Sequence, residues 1–166
     1  MPVIYFSHGK ESGPKGTKIL AMTKVAEKLG FDTFSIDYRG IESPEDRVSK
    51  LISEITLTET PVILVGSSMG SYVSIVASNT IKPDGLFLLA PAVYLKGYNS
   101  VELIPNAKKT FVLHGWNDEV VPYQNVVKFA EKFQTDLYLC NDDHRLTGST
   151  KLLKKEFKKF LKSLID

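Results

Sequence analysis

The chain reads as an α/β protein: a three-layer α/β/α sandwich built on a mostly parallel sheet of about six strands. Short apolar runs alternate with helical patterns along its 166 residues, the order expected where helices cross over between parallel strands. The central runs are apolar at consecutive positions rather than at alternate ones, which marks strands covered on both faces. With no internal repeat, low-complexity tract or long linker to break this grammar, residues 1–166 are expected to form one domain.

Residues 2–7 make the first strand, and a loop rich in Gly, Ser, Pro and Lys (8–16) leads into a helix over 17–29 that stops at Gly30. The second strand covers 33–38. Ser43 can then cap a helix that opens with Pro44, where a missing N–H costs nothing, and that carries Val48, Leu51, Ile52 and Ile55 on one face. Residues 61–65, a continuous apolar run, give the third strand, and a helix packed with small residues follows over 69–78. A fourth strand covers 85–90. The irregular stretch 91–109 that follows is long enough to suggest a role in binding. Strand 111–114, helix 123–133, strand 136–140 and helix 150–164 complete the chain.

Hydrophobic residues at 43% and charged residues at 24% are those of an ordinary folded domain. A net charge of +2 is far from the concentrated positive field that nucleic-acid binding uses. Lys151, Lys154, Lys155, Lys158, Lys159 and Lys162 do gather in the last helix, interleaved with Leu152, Leu153, Phe157, Phe160 and Leu161 at helical spacing. That run could touch an acidic membrane or partner, but the solvated face of an amphipathic terminal helix is the preferred reading. One cysteine, Cys140, rules out an intramolecular disulfide, and no Cys and His spacing suits zinc. The first residues lack the pattern of a secretory leader, and no apolar run is long enough to span a bilayer. The expectation is a cytoplasmic protein with no cofactor, no nucleic-acid partner and no membrane insertion.

The chemistry gathers where strand 61–65 meets the next helix. Gly66, Ser67, Ser68, Met69 and Gly70 match G-x-S-x-G. A serine on a sharp strand-to-helix turn is pushed out at the carboxyl end of the sheet, and glycines on either side let the chain approach itself closely. The helix that begins at Met69 aims its free N–H groups and the positive end of its dipole at the Ser68 oxygen. The Met69 amide is thus a candidate oxyanion donor. A tight turn with no chemistry is the bland alternative for five such common residues.

A serine hydroxyl needs a base, and the chain has three histidines. His8 and His114 each follow an apolar strand and precede a glycine, whereas His144 lies in a polar loop, residues 141–145, after the last strand. His144 is the candidate base, in a loop that would let it swing to Ser68. Asp118, just after strand 111–114, is the candidate acid that orients it, with a helix cap or Asx-turn as the bland reading. Asp142, Asp143 and Glu119 stay open as alternatives. The loop after the first strand offers a second oxyanion donor, the backbone N–H of Lys10 or of Glu11, with His8 shaping the loop. Tyr94, Leu95, Tyr98 and Trp116 could wall a site for an acyl or alkyl group.

Taken together, His8-Gly9, G-x-S-x-G at Ser68, His114-Gly115-x-x-Asp118-x-Val120-Val121-Pro122 and Asp143-His144 resemble the α/β-hydrolase superfamily, over nearly the whole chain. The resemblance is to its small lidless branch, near the dienelactone hydrolase and retinoblastoma-binding-protein-9 groups. It implies a minimal α/β-hydrolase fold that begins at the third strand of larger members. It also implies Ser68 as nucleophile, Asp118 as acid, His144 as base, the Met69 and Lys10 amides as oxyanion donors, and a small ester-type substrate. Dienelactone hydrolases use a cysteine nucleophile where this chain has Ser68, so their particular substrate does not carry over. A noncatalytic binding protein on the same fold is the competing expectation.

Overall fold

The computed structural model describes residues 1–57, 59–98 and 102–166. Along the chain run β1 (Val3–Ser7), α1 (Thr17–Lys28), β2 (Asp32–Ile36), α2 (Pro44–Glu54), β3 (Val62–Ser67), α3 (Met69–Ile81), β4 (Gly85–Leu89), β5 (Lys109–Gly115), α4 (Tyr123–Phe133), β6 (Asp136–Cys140) and α5 (Thr150–Ile165). The six strands form one sheet in the order β2-β1-β3-β4-β5-β6. Each of the five pairings is parallel, so the sheet is parallel throughout.

This strand order dictates the layers. Right-handed crossovers put helices on opposite faces when the chain moves in opposite directions across a sheet. The step from β1 to β2 runs one way, and α1 lies on one face. All later steps run the other way, and α2, α3 and α4 share the second face; α5 returns to pack beside α1. β3 shows what this demands of a sequence, because Val62 and Leu64 enter one core while Ile63 and Val65 enter the other. The edge strands need less apolar cover: Phe34 on β2 is 52% exposed and Tyr138 on β6 is 41% exposed.

Several boundaries differ from those expected, and at three of them the contacts show why. β2 stops at Ile36 because Tyr38 turns inward, its N–H bonded to the His8 imidazole at 2.9 Å and its hydroxyl to the Ser7 hydroxyl at 2.7 Å. α3 continues to Ile81 and ends where Lys82 adopts a left-handed backbone. β5 begins early, since Lys109 and Thr110 pair with Gly85 and Leu86 of β4 although neither is apolar. Small residues on α3 suit its place: Gly70, Ser71, Ser74, Ala77 and Ser78 are all buried, and the Ser71 hydroxyl donates to the Leu89 carbonyl at 3.0 Å.

Between β4 and β5, no helix or strand occurs among the described residues of 90–108, so nothing like a lid domain covers the sheet there. The stretch is tied down at intervals. Asn125 on α4 donates to the Val93 and Tyr94 carbonyls, and Asn79 on α3 donates to the Ile104 carbonyl. All six lysines of α5 are exposed while Leu153, Phe157, Phe160 and Leu161 are buried. Among the described residues, no helix is long and apolar enough to cross a membrane.

Candidate active site

β1 and β3 are neighbours at the point where the strand order reverses, the place where parallel sheets of this kind bind ligands beyond the carboxyl ends of their strands. Ser68 sits at the end of β3 with φ 54° and ψ −115°, a conformation that non-glycine residues rarely adopt. Both flanking glycines are sterically required. A Cβ on Gly66 would run into the Gly70 backbone, and one on Gly70 would run into the Ser7 carbonyl at the end of β1. The turn is held by the Ser68 N–H bonded to the Leu89 carbonyl at 2.9 Å, and by the Ala92 N–H bonded to the Ser68 carbonyl at 3.2 Å. Met69 opens α3, so its N–H has no acceptor within the helix.

The structure brings Ser68, His144 and Asp118 into line. The Ser68 hydroxyl lies 2.9 Å from His144 Nε2, and His144 Nδ1 lies 2.7 Å from Asp118 Oδ2. Nδ1–H donates to the ionised carboxylate, which leaves Nε2 as an acceptor for the serine. Asp118 serves the bland and the chemical reading at once. Its Oδ1 accepts the Val120 and Val121 N–H groups at 2.8 and 2.7 Å, an Asx-type turn, while Oδ2 holds the imidazole. Burial pushes this carboxyl up, but the hydrogen bonds from His144, Val121 and Val120 outweigh it and hold it below the ordinary carboxylate value.

The other acids point elsewhere. Asp142 accepts the Ser149 hydroxyl, Asp143 accepts the Arg145 N–H, and Glu119 is exposed. The histidine loop is held in place, with no swing needed to reach Ser68. Asn117 N–H donates to the Asp142 carbonyl at 3.0 Å, Asn117 Nδ2 donates to Asn141 at 2.9 Å, and Leu146 is fully buried with φ 55°. The loop is pinned to the end of β5, with the imidazole already against Ser68.

At the end of β1 the loop carrying Lys10 passes close to the serine: a Cβ on Gly9 would lie 3.5 Å from Ser68 Cβ. His8 is buried, accepts the Tyr38 N–H on Nε2 at 2.9 Å and donates from Nδ1 to the Gly9 carbonyl at 2.7 Å. Burial lowers its pKa, so the ring is neutral and shapes the loop. Lys10 and Glu11 have exposed side chains.

The expected walls lie beyond the carboxyl ends of β4 and β5. Tyr94, with φ 56°, stacks under Lys128 Nζ at 4.5 Å and has a buried hydroxyl without a hydrogen-bond partner among the described residues. Tyr98 meets Tyr72 edge-on with ring centroids 5.2 Å apart. Trp116 is 48% exposed and packs edge-on against Tyr123. Two surface hollows, of about 230 and 430 Å³, lie at the opposite end of β5 and along α4, and neither is lined by Ser68, His144 or Asp118.

Two residues around the site have places that the sequence did not assign. His114 is fully buried; its Nε2–H donates to the Val121 carbonyl at 2.9 Å and lies 3.4 Å from Asp118 Oδ2, beneath the acid loop. The repeated His-Gly pair at two strand ends was the available signal. Arg47, a charged residue in a helix, gave no signal at all, yet it is 2% exposed and bonded to the Gly9 carbonyl.

No family model and no curated protein matches the chain. Solved structures do. A presumed hydrolase of the alpha/beta superfamily from Xanthomonas campestris superposes with a TM-score of 0.84 at 27% identity, over 98% of both chains. Est1E from Butyrivibrio proteoclasticus, solved with ferulic acid bound, gives 0.83 at 16% identity, over 99% of this chain and 90% of that one. An α/β serine hydrolase without a lid, also from Xanthomonas campestris, gives 0.74 at 18% identity, over 98% and 81%. The chain has the α/β-hydrolase fold in its small, lidless form, with a serine, a histidine and an aspartate hydrogen-bonded in the order of a catalytic triad.

Proposed function

We propose that the protein is a serine hydrolase that transfers the acyl group of a small ester or thioester to water through an acyl-enzyme on Ser68. The observation that carries this reading is the continuous hydrogen-bond line from the Ser68 hydroxyl through His144 to the Asp118 carboxylate, set on a strained elbow at the end of β3. The 166 residues work in it as one domain.

His144 Nε2 takes the hydroxyl proton as Ser68 Oγ attacks the carbonyl carbon, and the imidazolium so formed is stabilised by Asp118, which keeps its charge and takes no proton. The carbonyl electrons move onto oxygen, which the Met69 and Lys10 amides receive. His144 then protonates the departing alcohol or thiol, and the same steps with water in place of serine release the acid and restore the hydroxyl.

An uncovered crevice favours short or flexible acyl groups over long ones that need a closed tunnel, with Tyr94, Tyr98 and Trp116 as its apolar wall. Est1E, with its bound ferulic acid, supports a small organic acid as the kind of acyl group such a frame accepts. A cytoplasmic location fits the one cysteine, Cys140, buried and unpaired at the end of β6.

Purified protein and its Ser68→Ala variant, treated with a fluorophosphonate and mapped by mass spectrometry, test the reading. An adduct on Ser68 that the variant lacks is expected. A folded wild-type protein that takes no adduct would instead favour a noncatalytic binding role for the same fold.

A further inference from the structure

We propose that Arg47 is a positioning residue for the oxyanion loop: with His8 it grips the Gly9 carbonyl, so that the Lys10 N–H on the opposite edge of that peptide is held toward Ser68. This rests on the serine-hydrolase reading of the site.

Arg47 is a costly residue to keep where it is. It lies on α2, only 2% exposed, and among the described residues no carboxylate pairs with its guanidinium. Burying a cation without a counter-ion is unfavourable unless its hydrogens are well used. Its partners are backbone carbonyls: Nε donates to Ile41 at 2.7 Å and Nη1 to Gly9 at 3.2 Å, while the Tyr38 ring faces the guanidinium with its centroid at 5.4 Å. Of these contacts, the one to Gly9 reaches the site, across 38 residues of sequence.

The Gly9 carbonyl is unusually well supplied. His8 Nδ1 donates at 2.7 Å, Arg47 at 3.2 Å, and the Ser12 hydroxyl lies at 3.5 Å. The peptide that joins Gly9 to Lys10 is trans, so its C=O and N–H point in opposite directions. Donors fixed on the oxygen edge therefore fix the direction of the Lys10 N–H. The same glycine packs against the nucleophile, 3.5 Å from Ser68 Cβ to where its own Cβ would be. A carbonyl bonded to a cation also polarises its peptide and makes the N–H a stronger donor. Arg47 thus acts on the oxyanion through one peptide unit, without touching substrate.

The test compares wild type, Arg47→Met and Arg47→Lys. Acylation by p-nitrophenyl acetate is followed in the pre-steady state, with active sites counted by fluorophosphonate labelling so that misfolded molecules drop out. Inhibition by a trifluoromethyl ketone reports on the oxyanion directly: Ser68 Oγ adds to the ketone carbon, its proton passes to His144, and the carbonyl electron pair becomes an oxyanion in the hole.

For Arg47→Met, acylation per active site is expected to fall about 10- to 100-fold, with ketone affinity falling by the same factor and apparent ester affinity within about twofold of wild type. Arg47→Lys, which keeps the charge but reaches one carbonyl at a time, should recover part of both. Wild-type rates per active site in both variants, or slower acylation with unchanged ketone affinity, would overturn the proposal. Should Arg47→Met fold too poorly to assay, Arg47→Lys decides alone: a several-fold parallel loss supports the proposal and unchanged values refute it. A wild-type protein that takes no label at all would sink the hydrolase reading instead, a separate outcome.

Discussion

The same dipeptide follows β1 as His8-Gly9 and closes β5 as His114-Gly115, and both rings are buried. They do different work. His8 uses both nitrogens, accepting the Tyr38 N–H and donating to the Gly9 carbonyl, so it locks the loop that carries Lys10. His114 uses one: Nε2 bonds the Val121 carbonyl beside Asp118, while its buried Nδ1 has no partner among the described residues. Neither can serve as a mobile base, because each is sealed from solvent and engaged by backbone. His144, 23% exposed in its side chain and facing Ser68, keeps one nitrogen for the serine and the other for the acid. In the proposed mechanism the three histidines divide the labour between holding the loop that carries Lys10, holding the acid loop and moving the proton.

This division can be broken at each point, and the losses should come in order. His144→Ala should cost acylation roughly 10⁴-fold or more with the fold intact, and the double variant with Ser68→Ala should be no worse than either alone, since such groups act as a unit. Pre-steady-state kinetics reads that directly. His8→Leu comes next. It strands the buried Tyr38 N–H and takes the shortest donor from Gly9, so chemical denaturation should show a loss of about 1–3 kcal/mol, with acylation down about tenfold.

His114→Leu should be the mildest. It leaves the Val121 carbonyl unpaired but removes an orphaned nitrogen, and Asp118 keeps its two amide donors. A stability loss of about 1 kcal/mol or less and an acylation loss of only a few-fold are expected. The reverse order for His8 and His114 would refute the assignment of the tighter lock to the oxyanion loop.

The smallest effect concerns pH. Burial lowers the pKa of both His8 and His114 from the ordinary 6.5. Below that value the unfolded chain binds more protons than the folded one, so their neutral burial gives its full stability above 6.5 and loses it progressively as pH falls. Denaturation at pH 5 should show a less stable protein than at pH 7.5, with a shallower slope in His114→Leu. Asp118, whose carboxyl is depressed, adds its own loss only below the ordinary 3.8.

Much of this was legible in the sequence because the physics there is local. The apolar run 61–65 had to be a strand covered twice, the Ser43 cap does accept the Asp46 N–H, and α4 and β6 begin and end at the residues their patterns mark. What the pattern missed was set by distant partners. Lys109 and Thr110 join β5 only because β4 is there to pair with them, and Tyr38 leaves β2 because His8 takes its N–H. The choice of Asp118 over Asp142, Asp143 and Glu119 depended on which carboxylate a loop 26 residues away would meet. Arg47 was invisible for the same reason. A charged residue on a helix reads as solvated until the carbonyls that bury it, at Ile41 and Gly9, are placed beside it.

The most direct measurement is to quench the reaction with a p-nitrophenyl ester at acid pH within its first turnover and locate the acyl group by peptide mapping. The acyl group should be found on Ser68 in the wild type and be missing from both Ser68→Ala and His144→Ala. An acyl group on another residue, or turnover that survives in folded Ser68→Ala, would contradict the account.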